Sequence, residues 1–428
     1  MRRLLVIALL ALPASVRATS LDEAVRLALA NNRQIANANL EAGKASDRLT
    51  AVRTQRMPRV NFDVFSSVTL NRLTFDFREG IFGTYPGIGP VPAADTKVTL
   101  ARTLDNFALL RVTQPLTQLR QVSIATRMAG NAAKAHAEDA RDQTNRVVAD
   151  VKRLYYSMQQ TRAAMEAANA AVSTLREIEK IATRHFEEKT ILRADLLDVQ
   201  ARLAAARATA ATVTDAYALE RERMALLVGA GSFTDPDPPR PVPENDEAPP
   251  QLARPDLAKA KLGIAIAEDD VRLERAKRTP DVSLIGSYVA PSTAGVLPKH
   301  IAAVTLTVSY EPFTWGRRAA EAAEKRKALE QARNTELDAQ LAAAVEINDA
   351  HRRLSTARLS IAAREAERDA AEERLRIVRE RFANEAALVK DVLERQAGAT
   401  EAESRLIEAT ESYWIARADV ERALGGDK

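Results

Sequence analysis

The sequence predicts a mainly α-helical protein with a transmembrane β-barrel part, assembled from one structural unit used twice. Three observations carry that prediction. Very long proline-free stretches keep a helical apolar period, and short stretches between them alternate apolar with polar residues. Both patterns then recur: Phe382 follows Phe186 by 196 residues, and Asp391 follows Asp195 by the same 196.

Composition agrees with long helices. Of 428 residues, 46% are hydrophobic but only 4% aromatic, which suits small packed helix faces better than a ring-filled globular core. Lys plus Arg number 62 against 58 Asp plus Glu, with no basic stripe interleaved with aromatics, so nothing points to nucleic acid. The absence of cysteine excludes disulfides, thiolate metal sites, cysteine nucleophiles and a lipid anchor on an N-terminal cysteine. His136, His185, His300 and His351 are scattered without metal-ligand spacing and read as surface residues, so no cofactor is expected. Nucleophile-elbow and phosphate-loop motifs are missing too, and no enzyme class is indicated.

The chain begins with a signal peptide, residues 1–18. Arg2 and Arg3 form its basic start, Leu4 to Leu12 its apolar core, and Val16-Arg17-Ala18 places cleavage after Ala18. That core is short of the roughly 20 apolar residues that span a bilayer, and no later stretch reaches that length. Any membrane passage must therefore be β-structure.

Residues 19–229 form the first repeat. Ser20 is placed to cap a short amphipathic helix, with Asp22 and Glu23 on its positive end and Asn31-Asn32 closing it. A second helix runs from about Gln34 to Gln55, ended by Pro58. Period two then takes over: Val60, Phe62, Val64, Val68 and Leu70 alternate with Asn61, Asp63, Ser67 and Thr69, a strand over about 59–72. Phe75 to Pro92, rich in Gly and Pro, reads as a loop, and a return strand follows over about 97–114. From Leu116 to Leu227 there is no proline. Val147, Val151, Leu154, Met158, Thr161, Met165, Ala168, Val172 and Leu175 keep a coiled-coil spacing there. A helix from Gln118 to Arg184 would run on the order of 100 Å at about 1.5 Å per residue. It turns near 187–190 and returns through Leu196, Leu203, Ala210, Tyr217 and Leu226.

A proline-rich connector, 230–253, leads to the second repeat, 254–428. Pro280 repeats Pro58, strands are expected at about 281–290 and 300–311, Pro312 repeats Pro115, and Gly425 repeats Gly229. Four strands of about ten residues match the pass length of an outer-membrane barrel, yet four cannot close one. Because an open edge in lipid leaves backbone groups unpaired, several copies must share a barrel, and three would give about twelve strands.

At this point a resemblance emerges. Leu21-Asp22-Glu23-Ala24-Val25 with Ala28-Leu29-Ala30-Asn31-Asn32, Gln114-Pro115-Leu116, Glu311-Pro312-Phe313-Thr314-Trp315-Gly316, Arg254-Pro255-Asp256-Leu257, Leu226-Leu227-Val228-Gly229 and Ala423-Leu424-Gly425 occur in order along the mature chain. In this order the sequence resembles the TolC family of outer-membrane efflux proteins. The resemblance implies a homotrimer with a 12-stranded β-barrel in outer-membrane lipid and an α-helical barrel in the periplasm. It also implies a passive duct for a tripartite efflux or type I secretion system, docked to a periplasmic adaptor (membrane fusion protein) and an inner-membrane transporter of RND or ABC type. The family's acidic periplasmic gate would fall on Asp391 and Glu394, with Asp195 and Asp198 as first-repeat counterparts. Adaptor docking would fall on the hairpin tips at Lys189, Thr190, Glu385 and Ala386. The family's tip glycine is missing: Lys189 and Glu385 stand there.

Other readings stand beside these. Asp195 and Asp391 also suit the start of a returning helix, where an acid offsets the dipole by about 0.3–1 kcal/mol. Phe313 and Trp315 suit junction packing as well as a membrane-interface anchor. A periplasmic coiled-coil adaptor or scaffold also has long hairpins, but not the duplicated strand pairs.

Overall fold

The computed structural model describes residues 19–68, 70, 74–99, 104–238, 241–243, 253–291, 300–384 and 386–426. Residues 1–18, where a signal peptide is expected, lie outside them, as do Glu385 and parts of the connector. The elements run α1 (Leu21–Asn31), α2 (Arg33–Thr54), β1 (Arg59–Val68), β2 (Thr74–Phe77), β3 (Thr84–Tyr85), β4 (Gly89–Pro90), β5 (Thr96–Thr99) and β6 (Leu104–Pro115). They continue with α3 (Leu119–Glu187), α4 (Arg193–Leu227), α5 (Pro255–Ala276), β7 (Asp281–Pro291), β8 (Ile301–Ser309), α6 (Arg317–Ala383) and α7 (Val389–Ala423). The chain is mainly helical, and two helices, α3 with 69 residues and α6 with 67, dominate it. Two compact units result, each drawing on both halves of the sequence: 46–131 with 265–330, and the remainder.

The first unit is built on a four-stranded antiparallel sheet, order β1-β6-β7-β8. Directly paired residues share a face in such a ladder. One face therefore carries the rows Phe62-Leu110-Tyr288-Ala302 and Val60-Val112-Gly286-Val304, flanked by Val64-Ala108-Ala290, Leu284-Leu306 and Val282-Val308. The other carries Asn61-Arg111-Ser287 and Arg59-Thr113-Ile285-Thr305, with Asp63 and Thr307 and a Phe65–Phe107 ring stack at 4.7 Å. The expected alternation is present in all four strands. β1 and β8 are the edges, so the sheet is an open piece and not a closed barrel.

Two strand expectations need correction. The strand expected over 97–114 is two elements, β5 and β6, with residues 100–103 outside the described set. The loop expected at Phe75 to Pro92 holds strands as well: β2 pairs with β5 and β3 with β4. Gly and Pro masked the signal, but Thr74, Phe75, Phe77, Thr84 and Tyr85 are strand formers, and cross-strand partners override the breakers. Between the helical segments of this unit, Arg127 reaches Asp269 at 2.9 Å. Asp269 is buried, yet the Arg127 hydrogen bonds, joined by Arg272, hold its carboxyl below the usual range against the opposing effect of burial.

The second unit is helical. The Ser20 hydroxyl accepts from the Glu23 N–H at 3.2 Å, capping α1 as expected. Asn32 does double duty: its Oδ1 accepts from Gln34 N at 2.8 Å, and its Nδ2 donates to Leu227 O at 2.8 Å. That tie brings the end of α4 so close that a Cβ on Gly229 (φ +68°) would sit 2.6 Å from Asn31 O, so only glycine fits. The main core joins Ala24, Ala28, Val147, Val151, Tyr155, Met158, Met224 and Val228. Leu226, expected in the seam, is 79% exposed instead, and Met224 and Ala225 are buried in its place. Met224 lies seven residues after Tyr217, so the heptad of Leu203, Ala210 and Tyr217 continues through it, and Leu226 falls off the seam.

The start of the connector is stitched down by hydrogen bonds. Tyr155 OH donates to Thr19 O at 2.9 Å and accepts from Asp237 N at 3.0 Å, while Gln159 Nε2 donates to Asp237 O at 2.7 Å. At the far end, Arg254 donates to Ala423 O at 2.8 Å and pairs with Asp256 and Glu346, and Arg422 also pairs with Glu346. Burial alone would raise the Glu346 carboxyl, but the two guanidiniums outweigh it and hold it low.

Candidate functional site

Two surfaces gather the residues singled out by sequence: the hairpin tips in the helical unit, and the exposed face and junctions of the sheet unit.

At the first tip, α3 ends in a turn whose hydrogen bonds define its shape. Lys189 N–H donates to Phe186 O at 3.0 Å, and Thr190 N–H to His185 O at 2.9 Å. These are the two bonds of a Schellman motif, which needs a left-handed residue between them. Lys189 supplies it, with φ +59°. The Thr190 hydroxyl adds a further bond to His185 O at 2.9 Å. A lysine therefore adopts the conformation usually given to glycine, at a cost of about 1 kcal/mol. At the second tip, Ala386 N–H donates to Arg381 O at 2.8 Å, the corresponding long bond. Glu385 lies outside the described residues.

The acids divide into two pairs of different kind. Asp195 Oδ2 accepts from the Leu192 N–H at 3.1 Å, and Asp391 Oδ2 from the Leu388 N–H at 3.2 Å. Each is the third helical residue of its helix and supplies the carboxylate half of a capping box. Asp198 and Glu394, one turn further on, are exposed, and their side chains make no hydrogen bond or ion pair among the described residues. The helix-start reading of Asp195 and Asp391 is thus realised in geometry, while Asp198 and Glu394 are the uncommitted carboxylates. All four flank one apolar cluster: Val199 packs with Val389, Val392 and Leu393, together with Val172, Leu175, Ile178, Ala182 and Leu203. That cluster joins the returning helices of both hairpins through α3. His185 and Phe382 meet edge-on at 6.1 Å beside it.

In the sheet unit the apolar face is uncovered. Phe62 is 68% exposed, Val304 76% and Leu306 60%, values opposite to those of a core. A contiguous apolar face of this size marks contact with a membrane or another chain. At the junction after β8, Trp315 is fully exposed with φ +48°, Phe313 is 81% exposed, and Gly316 follows with φ +86°. Junction packing does not hold these two rings. At the other junction, Thr117 Oγ1 donates to Pro280 O and accepts from Val282 N, both at 2.8 Å, which pins α3 to the start of β7.

Sequence reasoning missed a buried polar cluster in the helical unit. Ser157 donates to Glu220 Oε1 at 2.7 Å, and Glu220 Oε2 is buried without a partner among the described residues. Glu411 from α7 faces the same serine. Burial raises its carboxyl above the ordinary glutamate value, Glu220 and Glu408 raise it further, and Ser157 opposes the shift. The helical spacing of these residues is ordinary, so no sequence signal marks the cluster. Among the described residues, no group of acids and histidines has the makings of a metal site, and no helix is long and apolar enough to cross a membrane.

Comparison with known proteins gives a consistent result. A family model described as outer membrane efflux protein matches residues 24–230 and 251–426. No curated protein matches in sequence. Among solved structures, the Campylobacter jejuni CmeC outer membrane channel is 16% identical with a TM-score of 0.80, covering 95% of this chain and 85% of its own. The outer membrane protein VceC of Vibrio cholerae is 15% identical with a TM-score of 0.77, covering 95% and 96%. The open state of the Neisseria gonorrhoeae MtrE outer membrane channel is 18% identical with a TM-score of 0.77, covering 95% and 89%. At such identities these likenesses speak to the fold.

Proposed function

The chain belongs to the outer membrane efflux protein family, with the role of an efflux channel of the outer membrane, and from that premise we propose how it works. It is the exit duct of a tripartite efflux or type I secretion system, exported with residues 1–18 removed and assembled as a homotrimer. Three copies pair β1 of one sheet with β8 of the next, giving about twelve strands and leaving no edge in lipid. The face of Phe62, Leu110, Leu306 and Val308 meets the acyl chains, and the face of Arg59, Asn61, Asp63 and Arg111 lines the lumen. Phe313 and Trp315 anchor the junction at the membrane interface.

The helical unit works in the periplasm. Its tips, at Lys189, Thr190, Glu385 and Ala386, receive a periplasmic adaptor that links the duct to an inner-membrane transporter of RND or ABC type. Asp391 and Glu394, with Asp195 and Asp198, ring the periplasmic mouth. A ring of like carboxylates in a narrow mouth favours cations and offers divalent ions a place to plug it. The observation that carries the proposal is the uncovered apolar face on an open-edged sheet, which needs both lipid and further copies.

Glu394→Gln and Asp198→Gln test the gate, since both side chains are free of helix-capping bonds. In planar-bilayer recordings the double variant, which halves the ring's carboxylates, should show weaker cation preference and divalent block while still inserting. Channels with unchanged selectivity and block would remove these acids from the gate.

A further inference from the structure

In the sheet unit the two repeats meet at β6 and β7, and more than the ladder holds them there. Leu116 N–H donates to Val282 O at 2.9 Å, and Thr117 Oγ1 bridges Pro280 O and Val282 N–H at 2.8 Å each. A strand-to-helix junction of the first repeat is thereby clamped to a helix-to-strand junction of the second.

Each half of that clamp occurs a second time, at an open edge. After β8, Pro312-Phe313-Thr314 repeats Pro115-Leu116-Thr117 at an offset of 197 residues. Thr314 O accepts the Arg317 N–H at 2.9 Å, as Thr117 O accepts that of Arg120 at 3.4 Å. Before β1, Pro58-Arg59-Val60 repeats Pro280-Asp281-Val282 at an offset of 222 residues. There Arg56 N–H donates to Arg53 O at 3.3 Å and Met57 N–H to Thr54 O at 2.9 Å, the same bonds that Arg278 makes to Arg275 and Thr279 to Ala276. The Thr314 hydroxyl makes no hydrogen bond among the described residues, and β1 and β8 are the edges of the sheet.

Along the strands the offset is 196, because Leu110-Arg111-Val112 repeats as Leu306-Thr307-Val308 with the same residues on the apolar face. The second repeat therefore holds one more residue between strand and proline. Tyr310 is that residue: β6 stays in its ladder to Pro115, whereas β8 leaves its ladder after Ser309. A bulge at the strand end accommodates one such residue.

We propose, on the shared-barrel reading above, that the contact between copies reproduces the β6–β7 contact within the chain. Thr314 of one copy bridges Pro58 O and Val60 N–H of the next, and β8 pairs with that copy's β1 with Val308 opposite Val64. This register carries over the pairing of Val112 with Gly286, and it sets Thr305 opposite Ser67. Apolar residues then share one face and polar residues the other, which a slip of one residue would reverse. The helices repeat in the same way. α5 is tied to α3 by Arg127–Asp269 at 2.9 Å and to α6 by Lys325–Asp270 at 3.3 Å. α2 adjoins α3 where Leu49 lies beside Gly130, and the repeat gives its other flank to α6 of the neighbouring copy.

The absence of cysteine makes the register directly readable. Two double variants of the full-length mature protein are in register: Thr305→Cys with Ser67→Cys, and Val308→Cys with Val64→Cys. They lie on opposite faces, so one of them is a non-hydrogen-bonded pair with its side chains close. Controls shifted by two residues are Thr307→Cys with Ser67→Cys, Val308→Cys with Ser66→Cys, Ala303→Cys with Ser67→Cys, and Leu306→Cys with Val64→Cys. Mild oxidation of the outer-membrane fraction should give covalent dimers and trimers from at least one in-register variant and monomers alone from the controls. Cross-linking through a control instead, or through no variant in a protein of trimeric mass, would overturn the register and leave the shared barrel standing. A monomeric mass would overturn the channel reading and this inference with it. The bridge is read separately, from the temperature at which the trimer comes apart in SDS. Thr314→Val should lower that temperature by several degrees while Thr314→Ser preserves it; an unchanged value for Thr314→Val would remove Thr314 from the contact.

Discussion

The two units of this molecule handle apolar side chains in opposite ways. In the helical unit, Val151, Tyr155, Met158 and Met224 are at most 2% exposed, and Tyr155 satisfies its hydroxyl with Thr19 and Asp237. In the sheet unit, Phe62, Val304 and Leu306 stand more than half exposed on one face. Both units alternate apolar and polar residues with the regularity their secondary structure demands. The difference shows that one unit completes its burial within the chain, while the other leaves it to lipid and to further copies. The open edges at β1 and β8 lead to the same conclusion through backbone hydrogen bonds.

Substitutions can break this contrast, and the largest effect is expected in the helical unit. Met158→Ala removes a fully buried side chain and should cost about 2–5 kcal/mol in thermal or denaturant unfolding, whereas Leu306→Ala should barely alter unfolding of the detergent-solubilised protein. Equal losses at both positions would erase the distinction. Leu306→Arg should cost about 2–4 kcal/mol in bilayer insertion, read as lost outer-membrane assembly. Thr307→Arg, on the opposite face of the same strand, should assemble nearly normally.

A smaller effect concerns pH. The folded state holds the Glu411 proton more tightly than the unfolded chain, because burial and Glu220 raise its carboxyl. The linked stability is therefore present below the ordinary glutamate value and lost as pH rises through the raised folded value. Glu411→Gln should flatten that part of the stability-versus-pH curve and leave the variant the more stable protein at neutral pH. An unchanged slope would show that Glu411 does not supply it. The smallest effect is at the tip: Lys189→Gly should stabilise the hairpin by about 1 kcal/mol by relieving a left-handed lysine. Destabilisation there would mean that the lysine side chain contributes more than its backbone costs.

Much of this was legible in sequence because it depends on period and punctuation. The strand alternation at Val60-Phe62-Val64 and Val304-Leu306-Val308, the Ser20 cap, and the turns at 187–190 and Gly229 follow from local chemistry. The family match agrees with the resemblance to the TolC family. What escaped depends on partners distant in sequence. The β2–β5 hairpin is hidden by glycine and proline until Thr96 to Thr99 is seen to pair with it. The Ser157–Glu220–Glu411 cluster spans three helices with no motif in any one of them. At the tips, Asp195 and Asp391 were legible as acids at helix starts, and the structure adds that Asp198 and Glu394 are the ones left free.

The measurement that tests the central claim most directly is the mass of the protein extracted in detergent from an outer-membrane fraction, with bound detergent subtracted. A shared barrel predicts a stable assembly of about three mature chains in that fraction. A monomer, or a protein found only in the soluble periplasm, would contradict the account and return the long hairpins to an adaptor or scaffold role.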